Sequence, residues 1–156
     1  MKLRLLTLGH KMPDWVGEGF ELYNQRLPHH LKVNLVEINA VVRQKTQSTA
    51  QIKAIEAEAI QKQLQPGDYN IALDEAGQLI STKGVAQAMA DWQMMGQNIN
   101  IIIGGADGLD HSIKQVVDKT WSLSRLTFPH QLVRVVIAEQ IYRAHSLLTN
   151  HPYHRE

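Results

Sequence analysis

Cysteine is missing from all 156 residues. That removes disulfide staples, thiolate nucleophiles and Cys-based zinc sites, and makes a reducing cytosol the expected compartment. Long hydrophobic runs are missing too. The apolar stretch after Met1 is broken by Arg4 and closed by Pro13, which is not the pattern of a secretory signal, and no uncharged run approaches the ~20 residues of a membrane span. Neither repeats nor low-complexity segments occur. A large excess of one charge is lacking as well, since 16 Lys/Arg stand against 15 Asp/Glu for a formal net charge of +1. A generically sticky, basic nucleic-acid binder is therefore not expected. The expectation is a cytoplasmic protein of one domain, residues 1–156, long enough to bury a core unaided.

The even balance conceals a gradient. Residues 1–110 carry 10 Lys/Arg and 12 Asp/Glu, whereas 111–156 carry 6 and 3, together with five of the eight histidines. A polyanion, if one binds, meets the C-terminal third.

Apolar segments then alternate in type. "LRLLTLG", "KVNLVEI", "YNIALD" and "NINIIIGG" read as strands, and between them lie amphipathic stretches. "PDWVGEGFELYNQRL" puts Trp15, Phe20, Tyr23 and Leu27 near one helical face. "STAQIKAIEAEAIQKQL" offers Ser48 as N-cap, and "STKGVAQAMADWQMM" is helix-like. A short helix near 110–119, the segment "WSLSRLTF" and a long helix after Pro129 follow. Strands alternating with helices predict an α/β fold, a mainly parallel sheet with helices on both faces. Residues 39–49 are the expected flexible loop. On the last helix, Val133, Val136, Ile137, Ile141, Ala144, Leu147 and Leu148 share one face, while Val135, Ala138 and Tyr142 lie on the other side. Burial on two sides suggests a subunit contact.

Ligands of such sheets bind at the carboxyl ends of the strands. That singles out Asp74 and Glu75, the "IIIGGADG" loop and the 121–129 segment. The glycine loop matches neither the dinucleotide nor the nucleoside-triphosphate fingerprint. Adjacent strand residues face opposite ways, so Asp74 and Glu75 are not expected to share a proton; a polar turn with Gly77 at positive φ is the simpler reading. His151 and His154, without cysteine or a clear third ligand, make a poor metal site, and no metal is expected.

Taken together, "KLRLLTLGHKMPDWV", "IALDEAG" in its strand-end setting, "IIIGGADG" and above all "SLSRLTFPHQLVRVVIAEQIYRAHSLLTNHPYHRE" resemble the RlmH family of SPOUT RNA methyltransferases along the whole chain. The departures are Ala106, where many relatives have proline, and His145, where tryptophan is frequent. The resemblance implies a homodimer with a C-terminal trefoil knot that holds S-adenosylmethionine, and methylation at N3 of a pseudouridine in helix 69 of 23S ribosomal RNA. It places the cofactor on Leu73, Gly104, Leu123, Ser124, Arg125, Leu126, Thr127 and Phe128. Residue chemistry adds His154, Arg155 and Arg143 as candidate catalytic groups, with Glu139 and His130 behind them. Tyr153, His154 and Arg155 of one subunit would face RNA at the pocket of the other, with Tyr153 stacking on a flipped base. The small net charge makes the assembled ribosome the expected substrate, since little basic surface is available to grip naked RNA. The alternatives are another SPOUT enzyme acting on tRNA or a different rRNA base, a non-catalytic ribosome-associated factor, and a metal-dependent hydrolase using Asp74 and the tail histidines.

Overall fold

A computed structural model describes residues 1–9, 12–39, 46–105 and 107–155. Ala106 and most of the loop expected at 39–49 lie outside the described residues. Five strands, β1 (Leu3–Leu8), β2 (Val33–Ile38), β3 (Tyr69–Leu79), β4 (Ile99–Ile103) and β5 (Lys119–Ser122), form one parallel sheet in the order β2-β1-β4-β3-β5. Its central strand β4 is Ile-Asn-Ile-Ile-Ile, buried at every position, as a strand covered on both faces must be.

Side-chain alternation divides the core. Leu3, Leu5, Ile71, Ile99 and Ile101 point to one face and meet Phe20, Met89, Trp92, Ile137 and Ile141. These come from helices α1 (Asp14–Asn24), α3 (Thr82–Met95) and α5 (His130–Leu148). Leu6, Leu8, Ala72 and Ile102 point the other way, to Ala57 and Ile60 of α2 (Thr49–Gln61) and Ile113 of α4 (His111–Val116). Each such Leu or Ile contributes about 1.5–3 kcal/mol relative to exposure.

Local signals account for several element ends. Ser48 and Gln51 close a reciprocal capping box at the start of α2, as "STAQ" predicts. Ser81 caps α3, which ends at Gly96 in the left-handed region with φ 71°.

Three expectations are corrected. Trp15 is 60% exposed, and the buried face of α1 is Val16 and Phe20. Gly77 does not have positive φ. Instead Leu73 and Gln78 both pair with Trp121, so residues 74–77 swing out of the ladder, and a Cβ on Gly77 would stand 2.8 Å from the Thr120 carbonyl oxygen. Close approach requires that glycine. The two-sided burial of α5 is intramolecular, because α5 lies between α1 and α3. Val135 packs over Gly19 of α1, where an added Cβ would come within 3.2 Å of it, and Ala138 is fully buried. The second apolar side is thus no argument for a subunit contact.

At the amino edge of the sheet, a polar cluster pins the register. Asn100 stands opposite both Arg4 and Asn70. Its amide donates to Asp68 Oδ2 and Asn70 Oδ1, each at 2.8 Å, and its Oδ1 accepts from Arg4 Nε at 2.8 Å. Arg4 also donates to the Gln63 carbonyl at 2.6 Å. A one-residue slip would strand this network in a buried setting.

Candidate functional site

At the opposite, carboxyl edge a cavity of ≈ 580 Å³ opens beyond β3, β4 and β5, within the range of small-molecule sites. Leu73, Ile103, Leu109, Leu123, Phe128 and Val133 supply its apolar surface, and Gly104, Gly105 and Gly108 form one wall. Ser124, Leu126 and Thr127 lie along the rim segment. Of the eight residues expected around a cofactor, Arg125 alone does not line the cavity; it donates from Nη1 to the Glu75 carbonyl at 2.7 Å.

The glycine wall is shaped by its own closure. Gly105 and Gly108 form an antiparallel bridge, Gly108 has φ 81°, and a Cβ on Gly104 would sit 2.8 Å from the Gly108 carbonyl carbon. Any side chain at 104 would pry the loop open. Opposite, the 122–129 segment is folded on itself by Ser122 Oγ donating to the Ser124 carbonyl at 2.9 Å and by Leu126 N–H donating to Ser124 Oγ at 2.9 Å. Glu75 then ties that segment to the excursion of β3, accepting from Thr127 Oγ1 at 2.6 Å while its carbonyl holds Arg125.

Asp74 turns the other way. Its carboxylate meets Lys114 Nζ of α4 at 2.9 Å and accepts from the Ala76 N–H at 2.8 Å. Burial pushes its pKa up, but the Ala76 N–H and the Lys114 ammonium outweigh that and hold it below the usual carboxylate value. The two adjacent carboxylates serve different partners and are not an acid–base pair.

The C-terminal residues are built separately. Helix α5 ends with Asn150 in the left-handed region, φ 60°, with His151 N–H bonded to the Ser146 carbonyl at 2.8 Å and Asn150 N–H to that of Leu147 at 3.4 Å. This is a Schellman closure, and Pro152 follows it. Pro152–Arg155 form a 3-10 turn that packs back on α5. Tyr153 lies 4.7 Å from the Tyr142 ring and 6.4 Å from that of Tyr23, with the Arg143 guanidinium 5.0 Å from its centroid. Glu139 Oε1 accepts from Arg143 Nη2 at 2.6 Å and from Tyr153 Oη at 3.2 Å. His154 is half-buried and Arg155 exposed. None of Arg143, Tyr153, His154 and Arg155 lines the cavity of its own chain. Arg143 lies ten residues along α5 from Val133, about 15 Å at helical rise.

A family model described as "Predicted SPOUT methyltransferase" matches residues 1–154. The chain belongs to the SPOUT methyltransferase family. Its curated relatives include a protein of Hydrogenovibrio crunogenus, 47% identical over all of both chains, and one of Saccharophagus degradans, 46% identical over 99% of this chain and 100% of that one. Both are named ribosomal RNA large subunit methyltransferase H. Among solved structures, a probable methyltransferase from Bordetella pertussis superposes with a TM-score of 0.60, covering 92% of this chain and 95% of that one at 12% identity. A probable methylase family protein from Haemophilus influenzae gives 0.58, over 97% and 69%. These two share the fold.

The cavity suits the methyl donor expected of a SPOUT enzyme. Asp74, Glu75 and Asp107 outnumber Lys53 and Lys114 on its wall, which favours a cationic sulfonium. The apolar floor suits a purine, and the hydroxyls of Ser124 and Thr127 suit a ribose. The reading from sequence missed Lys53, Lys114 and Asp107. Lys53 and Lys114 come from α2 and α4, helices with no chemical motif, and only Asp107, inside the glycine loop, carried a signal that could have found it. Among the described residues no group of three or more His, Asp or Glu is placed to hold a metal ion, and no helix is long and apolar enough to cross a membrane.

Proposed function

We propose that this SPOUT protein transfers a methyl group from S-adenosylmethionine to N3 of a pseudouridine in helix 69 of 23S rRNA, acting on the assembled ribosome. The reading carries with it a trefoil-knotted cofactor pocket formed within one domain, a homodimer, and a cytoplasmic setting. The observation that supports it best is the carboxyl-edge cavity lined by seven of the eight expected residues, together with relatives named for rRNA large-subunit methylation. The homodimer reading draws support from the separation between that cavity and the tail of the same chain. A tail from a second subunit would complete the site.

The cofactor, when bound, supplies an electrophilic methyl group on a sulfonium. Leu73, Gly104, Leu123, Ser124, Leu126, Thr127 and Phe128 would hold it, with Arg125 acting from behind by bracing Glu75. Rate then comes chiefly from orientation, with the target nitrogen held in line with the methyl carbon and the sulfur. Leu73, Leu123 and Phe128 give that cavity an apolar surface.

The imide proton at N3 must leave, to a base or with a cation to stabilise the ring anion. Glu139 is engaged by Arg143, Gln140 and Tyr153, so neither Glu139 nor Arg143 is poised for that task. Burial, then the Tyr23 hydroxyl and Glu139, push the Tyr153 phenol far above its ordinary value, so it stays protonated and is no base. His154 and Arg155 remain as the RNA-facing pair, with His130 at the pocket wall.

Deleting residues 152–156 tests the assignment. The expected outcome is retained cofactor binding by calorimetry, retained dimer mass by sedimentation, and loss of methylation mapped by mass spectrometry on ribosomes from a deletion strain. Full activity of the truncated protein removes the tail from the mechanism. A mark at another nucleotide redirects the function to a different rRNA or tRNA target, and a protein with no cofactor binding at all would be a ribosome-associated factor.

A further inference from the structure

We infer that Tyr153 is a positioning residue, a latch that orients His154 and Arg155, and not the platform on which the target base stacks. The inference rests on the reading that those two residues face RNA. The Tyr153 ring already has three neighbours within its own chain. Tyr142 stands at 4.7 Å with rings inclined 55°, and the Arg143 guanidinium is 5.0 Å from the centroid. Tyr23 of α1 meets the edge at 6.4 Å. A base would have to displace these neighbours to stack.

The contacts form a braced assembly. Glu139 Oε1 takes Arg143 Nε at 2.7 Å and Nη2 at 2.6 Å, which fixes the guanidinium plane under Tyr153, and also accepts the phenol at 3.2 Å. Its other oxygen accepts from Gln140 Nε2 at 2.7 Å, and Gln140 Oε1 accepts from Thr82 Oγ1 of α3 at 2.7 Å. Arg26, just past the end of α1, lies 5.9 Å from the Tyr23 ring and 5.7 Å from that of Tyr142. Helices α1 and α5 thus meet this side chain of a four-residue turn directly, and α3 reaches it through Gln140 and Glu139. His154 and Arg155 follow it directly in sequence, so their direction depends on that anchor. Arg143 belongs to the same brace, holding a carboxylate and an aromatic ring at once.

The test compares Tyr153→Ala and Tyr153→Phe in the full chain by 15N relaxation of the His154 and Arg155 amides, cofactor calorimetry and methyl-transfer kinetics on ribosomes. In the wild type and Tyr153→Phe, which keeps the ring contacts, both amides should have order parameters near ~0.85, and in Tyr153→Ala they should fall below ~0.6. Tyr153→Ala should bind cofactor within about twofold of wild type while kcat falls at least about tenfold, and Tyr153→Phe should restore kcat to within about threefold. Rigid amides in Tyr153→Ala with methylation lost would mean that Tyr153 touches the base itself, and would overturn the inference. Loose amides in Tyr153→Phe would overturn it too. If the wild-type protein methylates no RNA, the functional reading fails, while the relaxation comparison still decides the latch.

Discussion

His145 shows how one side chain couples the tail to solution conditions. Burial, then the neighbouring charges of His30 and His151, hold its pKa below the ordinary histidine value. The unfolded chain therefore binds more protons than the native one in the interval between the two values. Stability is complete above about pH 6.5 and declines as pH falls through that interval. Melting temperatures measured at pH 8 and pH 5.5 should drop more for the wild type than for His145→Gln; parallel curves would show that the histidine group is not responsible. Legibility at this scale was uneven. Leu73, Gly104, Leu123, Ser124, Leu126, Thr127 and Phe128 were legible as cavity-lining residues because strand-end loops collect ligands and because the resemblance named them, whereas Arg125, named with them, braces Glu75 instead. The roles of Arg143 and Tyr153 were not, since an i, i+4 Glu139–Arg143 spacing looks the same whether the pair is solvated or clamps a ring.

Among the elements, β3 carries two tasks that its sequence does not separate. Its first half is an ordinary buried strand, while Asp74–Gly77 leaves the ladder so that Glu75 can hold the 125–127 segment and Asp74 can hold α4. "YNIALD" was legible as a strand by its apolar run. The excursion was not, because it depends on β5 arriving from a distant part of the chain. The amino edge was equally hidden, for Asn70 and Asn100 look like interruptions of apolar strands until they are placed opposite each other. Replacing Asn100 by Ala leaves buried Asn70 and half-buried Asp68 and Arg4 each one partner short and should destabilise by about 1–3 kcal/mol. Urea unfolding measures this, and because the site lies at the other edge of the sheet, cofactor affinity should stay within about twofold. The end of α5 was partly legible, since Asn150 and Pro152 are recognisable stop signals.

On the scale of the whole molecule, the cavity and the tail are separate assets of a single chain. If the site is completed between subunits, two defects in different chains should compensate. Gly104→Ala, which forces the glycine wall apart, should abolish cofactor binding; deletion of residues 152–156 should leave it intact. Each alone should be inactive. Co-refolding the two variants at equal concentration should return activity, because a mixed dimer pairs one intact pocket with one intact tail, and a mixed dimer that forms but stays dead would mean that each chain supplies its own tail. The parallel sheet and helix placement were legible in alternating strand and helix periods. The route by which a tail meets a pocket was not, because periodicity within one chain carries no information about a second.

The Schellman closure at Asn150 has a further consequence in helical phase. Each residue added to α5 before that turn would rotate the tail by about 100° and advance it by about 1.5 Å. Tyr142, Glu139 and Arg143 ride on the same helix, but Tyr23 stays with α1 and Arg26 with the turn that follows it, and both would be left behind. The bearing of His154 and Arg155 is thus written into the length of α5, so single insertions or deletions in this helix would misdirect the tail even where every side chain near the pocket is preserved.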